Sequence, residues 1–340
     1  GWAAASPAGA RLRVESAAGY DSNVERVEEV PGDAAEDART DGVLRVVLDA
    51  AEAARAGRWI LQAQYHGGLR RFLDSTGEDA ILQGLSVGAT HVGEAISLGT
   101  FGRARARTTR DPARPRDHVH LEGGPLVAAR LGDFTATTRA RAERLLYPPD
   151  RRYAYNGIGG DLDLAWGTGP WAVSTRGGLA WHRFDGPREA RVGFHGVPLV
   201  AAVPGTHRED RALSAGLSAS WTGPVLITAG YSLYANASDS FGAPQTRHAA
   251  RVSLDAALPG GILASVRLEL QRVMYDDPQY VAADAFVEDE GRSSLLVRLE
   301  RPLDDTWSVV AHGGAWASPF GSGPTYDRRM ALLGVAWRSE

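Results

Sequence analysis

Cysteine is absent from the 340 residues, and lysine is absent too, so that all 37 basic residues are arginine. Without cysteine there is no disulfide, no thiolate nucleophile and no thiolate metal site. That lack is compatible with an oxidising compartment but does not establish one. The arginine-only usage fits GC-rich coding, and no mechanism is drawn from it. No run of eighteen apolar residues occurs, so no helix is expected to cross a membrane; strands signal themselves only by alternation. The formal net charge of −4 is too small to point to nucleic acid, and no nucleic-acid partner is expected. The opening Gly-Trp-Ala-Ala-Ala has neither a basic nor a long apolar leader region, and is read as a chain whose export signal has been removed.

What is present is alternation. Sixteen segments of roughly ten to fourteen residues run through nearly the whole chain, most of them alternating apolar with polar. From Arg58 to Arg70, Trp59, Leu61, Ala63, Tyr65 and Leu69 fall on one face, and Arg58, Gln62, Gln64, His66 and Arg70 on the other. Strand side chains point to opposite faces with period two, so one face is apolar and the other wet. The segments 133–146 and 261–273 repeat the pattern. The joins alternate as well. Seven are tight turns, at Ala56-Gly57, Gly93-Glu94, Gly132-Asp133, Gly167-Thr168-Gly169, Thr222-Gly223, Pro259-Gly260 and Asp304-Asp305. The others are longer, at 21–41, 71–78, 109–116, 147–151, 185–207, 236–243, 276–289 and 319–324. An even number of long strands with short turns at one end and long loops at the other predicts an all-β, closed antiparallel transmembrane β-barrel of about sixteen strands, in the bacterial outer membrane.

A soluble sandwich or propeller would also alternate. Two features oppose it. The segments are about twice the usual soluble strand length of five to six residues. Tryptophans also gather at the tight-turn end: Trp59, Trp166, Trp171, Trp221 and Trp307 lie near short turns, and Trp337 near the C-terminus. Indole prefers the headgroup region, so these form the girdle of one membrane interface. Trp181 shares a face with Trp171 ten residues away, which at about 3.3 Å per residue and ~40° tilt spans roughly 25 Å, enough to reach the opposite interface. Tyr20 and Tyr65 are expected beside Trp181 in that second belt. Both termini are placed in the periplasm with the short turns. Residues 1–10 form a periplasmic N-terminal segment, and 11–340 a single barrel domain.

Three local features need their own expectation. Asp49-Ala-Ala-Glu-Ala-Ala-Arg-Ala favours helix by propensity, but a helix there would break the hairpin into Trp59, so strand is predicted. Pro125 cannot donate to a ladder, which predicts a bulge. Gly157, Gly159 and Gly160 predict a kink or a close backbone approach.

By parity the polar face lines the lumen. Arg103, Arg105, Arg107, Arg130, Arg139 and Arg141 on the fifth to seventh segments would form a basic wall, followed by the acidic residues Glu122, Glu143, Asp161 and Asp163. Such a wall either selects anions, as charged rings do in pores, or pairs across strands and stiffens the barrel. The loop 185–207 carries an apolar run that includes Phe194, His195, Val197, Leu199 and Val200, and is expected to fold inward as a constriction. The alternatives are that it lies on the rim or binds a partner. Loops 21–41 and 276–289 are acidic and are read as solvated rim, with divalent cations bridging lipopolysaccharide as the functional alternative. His118 and His120 share a face with Glu122 at a spacing that suits a metal, but histidines in a polar wall are commoner, and no metal or cofactor is expected. No nucleophile elbow, zincin or phosphate-loop motif is present, so no catalytic residue is named.

Gly19-Tyr20-Asp21-Ser22-Asn23-Val24, at the top of the first segment, resembles a motif of outer-membrane barrels from envelope export systems, several of which export polysaccharide. The resemblance implies a conduit or a component of an envelope-spanning assembly, with periplasmic or surface partners. Together with the barrel it leaves three functional expectations. The first is an outer-membrane pore or export conduit for anionic solutes or polysaccharide. The second is a plugged scaffolding barrel that anchors an envelope complex, and the third a lipid-modifying barrel enzyme. In each the outer-membrane lipid and lipopolysaccharide are the surroundings.

Overall fold

A computed structural model describes residues 9–24, 39–110, 117–148, 150–194, 197–241, 243–276, 292–317 and 327–339. The first eight wall strands are β1 (Gly9–Asp21), β2 (Asp41–Ala56), β3 (Trp59–Phe72), β4 (Ala80–His91), β5 (Ile96–Thr109), β6 (His118–Leu131), β7 (Phe134–Leu146) and β8 (Tyr155–Thr168). After β9 (Trp171–Phe184) come two short strands, β10 (Glu189–Phe194) and β11 (Val197–Ala202). The wall resumes with β12 (Glu209–Thr222), β13 (Val225–Ser238), β14 (Gln245–Leu258), β15 (Ile262–Tyr275), β16 (Ser293–Pro302), β17 (Trp307–Ala317) and β18 (Asp327–Arg338). All strands except β10 and β11 form one closed barrel of sixteen, antiparallel to their neighbours throughout. Closure is made by β1 on β18, from Arg13↔Arg338 to Asp21↔Met330. Closure leaves the wall without a free strand edge, as a bilayer demands.

The seven tight turns fall where the sequence predicts them. Gly57, Gly132 and Gly169 adopt φ of 60°, 61° and 54°, which a side chain would resist. The alanine-rich end of β2 stays in the ladder, from Asp49↔His66 to Ala56↔Trp59. There the sheet overrides helix propensity, because leaving the ladder would strand backbone groups on both neighbours.

Pro125 departs from expectation. On either side of it the register of β6 on β7 is the same, Gly123↔Ala142 and Leu126↔Arg139, so no extra residue and no bulge are present. The ladder to β7 lapses at Gly124 and Pro125, while toward β5 both stay paired, with Phe101 and Thr100. A Cβ on Gly124 would lie 2.1 Å from the carbonyl oxygen of Ala140. The missing donor of Pro125 is thus absorbed by a close backbone approach at the neighbouring glycine.

The loop 185–207 carries secondary structure of its own. It contains the hairpin β10–β11, in which Ala190↔Ala201, Arg191↔Val200 and Val192↔Leu199 are paired. The apolar run is β-branched enough to find a strand partner in itself. Its base is tied to the neighbouring loop, where the Glu189 N–H donates to Ser240 Oγ (2.9 Å) and the Phe241 N–H to the Glu189 carbonyl (2.8 Å). His195 and the side chains of 192–199, among them Phe194, Val197 and Leu199, lie outside the described residues.

Register sorts the wall into two faces. Leu179, Leu333 and Ile158 point outward, 65%, 64% and 59% exposed, as parts of an apolar surface far too extensive for water. The buried core is small and sits inside the barrel. Ala17, Val43, Phe72 and Leu332, from β1, β2, β3 and β18, enclose Val24 of the first loop.

Candidate functional site

The lumen is built by the residues that alternate with the apolar outer face. On β5–β9 the expected basic wall and acidic residues share this face, and most of them are ion-paired. Arg103 bonds Glu122 (3.0 Å), Arg139 bonds Asp163 (2.6 Å) and Arg141 bonds Asp161 (2.8 Å). Arg176, which register places beside Asp163, reaches Asp161 at 3.5 Å and Asp163 at 3.4 Å. Arg107 is buried. Arg130 sits at the short-turn end and donates to the carbonyl of Gly132 at 3.4 Å. Arg105 is exposed and has no carboxylate within reach among the described residues. Among the described residues Arg11, on β1, shares that condition, and Arg45, on β2, is half-buried with no carboxylate within reach.

Glu143 is the hub of this network. Its two oxygens are bonded by His120 (3.0 Å) and His182 (2.9 Å), and Arg141 lies 3.6 Å away. The glycines of β8 make room for it. A Cβ on Gly157 would sit 2.7 Å from Glu143 Cγ and 2.7 Å from His182 Cδ2. At Gly157 the close approach is one of side chains, whereas at Gly159 it is the backbone approach predicted, a Cβ there lying 2.7 Å from the Leu179 carbonyl oxygen; β8 runs through both without a break. His120 is engaged by a carboxylate, and His118 is set beside Arg107 in register by its pairing on β5. Among the described residues no group of three histidine or carboxylate side chains is disposed to hold a metal ion, and the imidazoles of His120 and His182 are turned to the Glu143 carboxylate.

A second network lies across the closure and is not visible from any hairpin. Glu15 of β1 bonds His312 of β17 (2.6 Å) and Arg298 of β16 (2.8 Å). Glu300 holds Arg13 (2.9 Å) and Arg298 (2.9 Å). At the long-loop end of the same seam Asp21 grips Arg328 (2.5 Å), whose guanidinium stacks on Trp316 at 4.7 Å. Parity places Glu15, Arg298 and Glu300 in the lumen, but only closure brings strands from the two ends of the chain together. His312 was missed outright, because its segment carries few polar residues to mark a face.

The space left by these walls is substantial. One lumenal cavity of about 850 Å³ lies against β1–β6 and is lined by Arg11, Arg13, Arg105, Arg107, His66 and His118, among others. Asp49 bonds His66 there. A second cavity of about 650 Å³ lies against β8–β16. Val24 of the first loop is buried under the long-loop mouth beside the seam.

Outside, Trp171 pairs with Trp221 and Trp307 with Trp337 across strands, and Phe134 lies against Trp166 with ring centres 6.4 Å apart. Trp59 stands edge-on to His91 at 5.3 Å. All lie at the short-turn end. Trp181 faces outward ten residues higher on β9, as does Tyr20 near the top of β1, whereas Tyr65 is only six residues above Trp59 and covers Gly67 at mid-wall.

The chain matches no protein-family model and no curated protein sequence. Solved structures similar to it include a BenF-like porin from Pseudomonas fluorescens Pf-5, at 11% identity over 98% of this chain and 99% of that one, TM-score 0.49. Another is a bacterial polysaccharide outer membrane secretin, at 11% identity over 97% and 98%, TM-score 0.47. A third is OccK2 (OpdF) of Pseudomonas aeruginosa, at 13% identity over 97% and 97%, TM-score 0.46. At such identities and scores the likeness says nothing about cargo or partners. The closed sixteen-stranded antiparallel wall, its apolar outer surface and its tryptophan girdle make the chain a bacterial outer-membrane β-barrel.

Proposed function

We propose that the barrel is a water-filled outer-membrane pore that favours anionic solutes. The carrying observation is the cavity of about 850 Å³ against β1–β6, lined by Arg11, Arg13, Arg105 and Arg107 with Asp49 as its carboxylate. Guanidinium groups there raise the local concentration of anions, because low-dielectric walls focus their field. The arginines that are paired with carboxylates, Arg103, Arg139 and Arg141, are assigned to wall stiffness, and Arg105 with Arg11 and Arg45 to contact with the passing anion. Short turns and both termini are placed on the periplasmic side, and the long loops outside. No catalytic residue enters the proposal. Service as an export conduit within an envelope-spanning assembly belongs to it as a refinement, suggested by the Gly19–Val24 motif.

One observation favours a scaffolding barrel instead, namely the apolar cluster of Val24, Phe72, Val43 and Leu332 beneath the mouth. Reversal potentials in planar bilayers under a salt gradient separate the two. The pore reading predicts an anion-over-cation preference that falls by roughly twofold or more in Arg105→Gln, since a single ring charge changes local anion occupancy by such factors. A preference unchanged by Arg105→Gln, Arg11→Gln and Arg45→Gln together would remove the anion assignment.

A further inference from the structure

The second cavity differs from the first in chemistry. On β9–β16 two adjacent cross-strand rows can be followed through the register. One runs Ser174, Ser218, Gly230, Arg251, Glu269, Ser294, and the next Ser220, Thr228, Ser253, Arg267. From β9 to β13 every residue named in the two rows is serine, threonine or glycine. Short side chains set the wall back and leave a recess of about 650 Å³, inside the usual range of about 300–1,000 Å³ for small-molecule sites.

The hydroxyls form a continuous polar surface. Ser174 bonds Ser218 (2.7 Å), and Ser220 bonds Thr228 (3.0 Å). Each hydroxyl has one proton to donate and two lone pairs, so one mutual bond leaves capacity for a ligand. Three guanidiniums border this surface, and they are unequal; Arg176 is shared by Asp161 at 3.5 Å and Asp163 at 3.4 Å. Arg251 is clamped by Glu269 through bonds of 2.8 and 2.9 Å. Arg267, one row away and opposite Ser253, is exposed and has no carboxylate within reach among the described residues.

We propose that this recess is a binding site for polyhydroxylated carboxylates of the sugar-acid class. The hydroxyl rows exchange bonds with the ligand's hydroxyls, and Arg267 takes its carboxylate in a charge-assisted pair. The proposal rests on the pore reading and narrows it. The arginine-rich cavity across the lumen attracts anions of any kind, whereas the recess discriminates among them by their hydroxyls. Simple carboxylates lack partners for the serine rows, and neutral sugars lack one for Arg267.

D-glucuronate is the probe, with acetate and glucose as controls, added to single barrels conducting chloride in a planar bilayer. Glucuronate is expected to interrupt the current saturably, at concentrations about tenfold lower than either control. Arg267→Gln is expected to weaken that block about tenfold, and Ser218→Ala combined with Thr228→Val to bring glucuronate toward acetate. A glucuronate block no stronger than that of acetate, or one indifferent to both variants, overturns the site. A barrel that carries no current overturns the pore reading. Calorimetry of the detergent-solubilised barrel then decides the site by itself. Heat of glucuronate binding that is lost in Arg267→Gln upholds it, and its absence in the unmutated protein ends it.

Discussion

Glu143 shows how a single residue organises the interior. A carboxylate almost removed from solvent is tolerated only when other groups satisfy it, and His120, His182 and Arg141 do so here. Glu143→Gln keeps the shape but removes the charge those groups face. Its cost is expected to be about 3 kcal/mol, seen as lower urea resistance of the folded barrel on heat-modifiability gels. Arg105→Gln, by contrast, should leave that resistance within about 0.5 kcal/mol, since no partner is orphaned. Equal losses in the two variants would mean that pairing is not what distinguishes these residues. At this scale sequence parity was informative but incomplete. It puts Arg103, Arg105, Arg139 and Arg141 on one face, yet cannot tell a saturated guanidinium from an open one, because that depends on which rotamers meet across strands.

At the scale of the element, alternation and turn chemistry made the wall strands legible. Gly57, Gly132 and Gly169 mark their turns because only glycine sits comfortably at their φ. Pro125 misled because a proline in a ladder can be accommodated without an inserted residue when the residue before it is glycine. The hairpin β10–β11 escaped notice because an apolar run in a loop carries no register of its own. The β16–β17 turn lacks glycine and is held by a side chain. There Asp304 Oδ1 accepts from the Thr306 N–H (2.8 Å), the Thr306 hydroxyl (2.8 Å) and the Trp307 N–H (2.7 Å). The backbone N–H of Trp307, first among these, holds the Asp304 carboxyl below its ordinary value of 3.8. A carboxyl so depressed contributes its stability above the unfolded value and loses it as pH falls through the folded one. Amide exchange at Trp307 should therefore be protected at neutral pH, and the protection should be lost below 3.8. Asp304→Asn should abolish that pH dependence; an unchanged profile would assign the protection to the ladder alone.

At the scale of the whole molecule, closure itself was legible in the strand count, but the contacts it makes were not. It joins β1 to β18 and brings Glu15 against Arg298 and His312, and Asp21 against Arg328. Asp21 and Arg328 are 0% and 3% exposed, so removing one strands the other away from water. Arg328→Ala is expected to cost about 3–5 kcal/mol and to lower the temperature at which the barrel opens on gels. An unaltered opening temperature would show that backbone pairing alone secures the seam. The membrane face is legible at this scale for a simpler reason: Trp59, Trp166, Trp171, Trp221, Trp307 and Trp337 recur at one end of several hairpins and at the last strand, whatever the lumen contains.

Single-channel recording of the purified barrel in a planar bilayer tests the central claim, a continuous aqueous lumen, most directly. Stepwise currents that are ohmic at low voltage and favour anions are predicted. Barrels shown to be folded and inserted that carry no current, even after Val24→Gly and Phe72→Ala open the apolar cluster at the mouth, would contradict it.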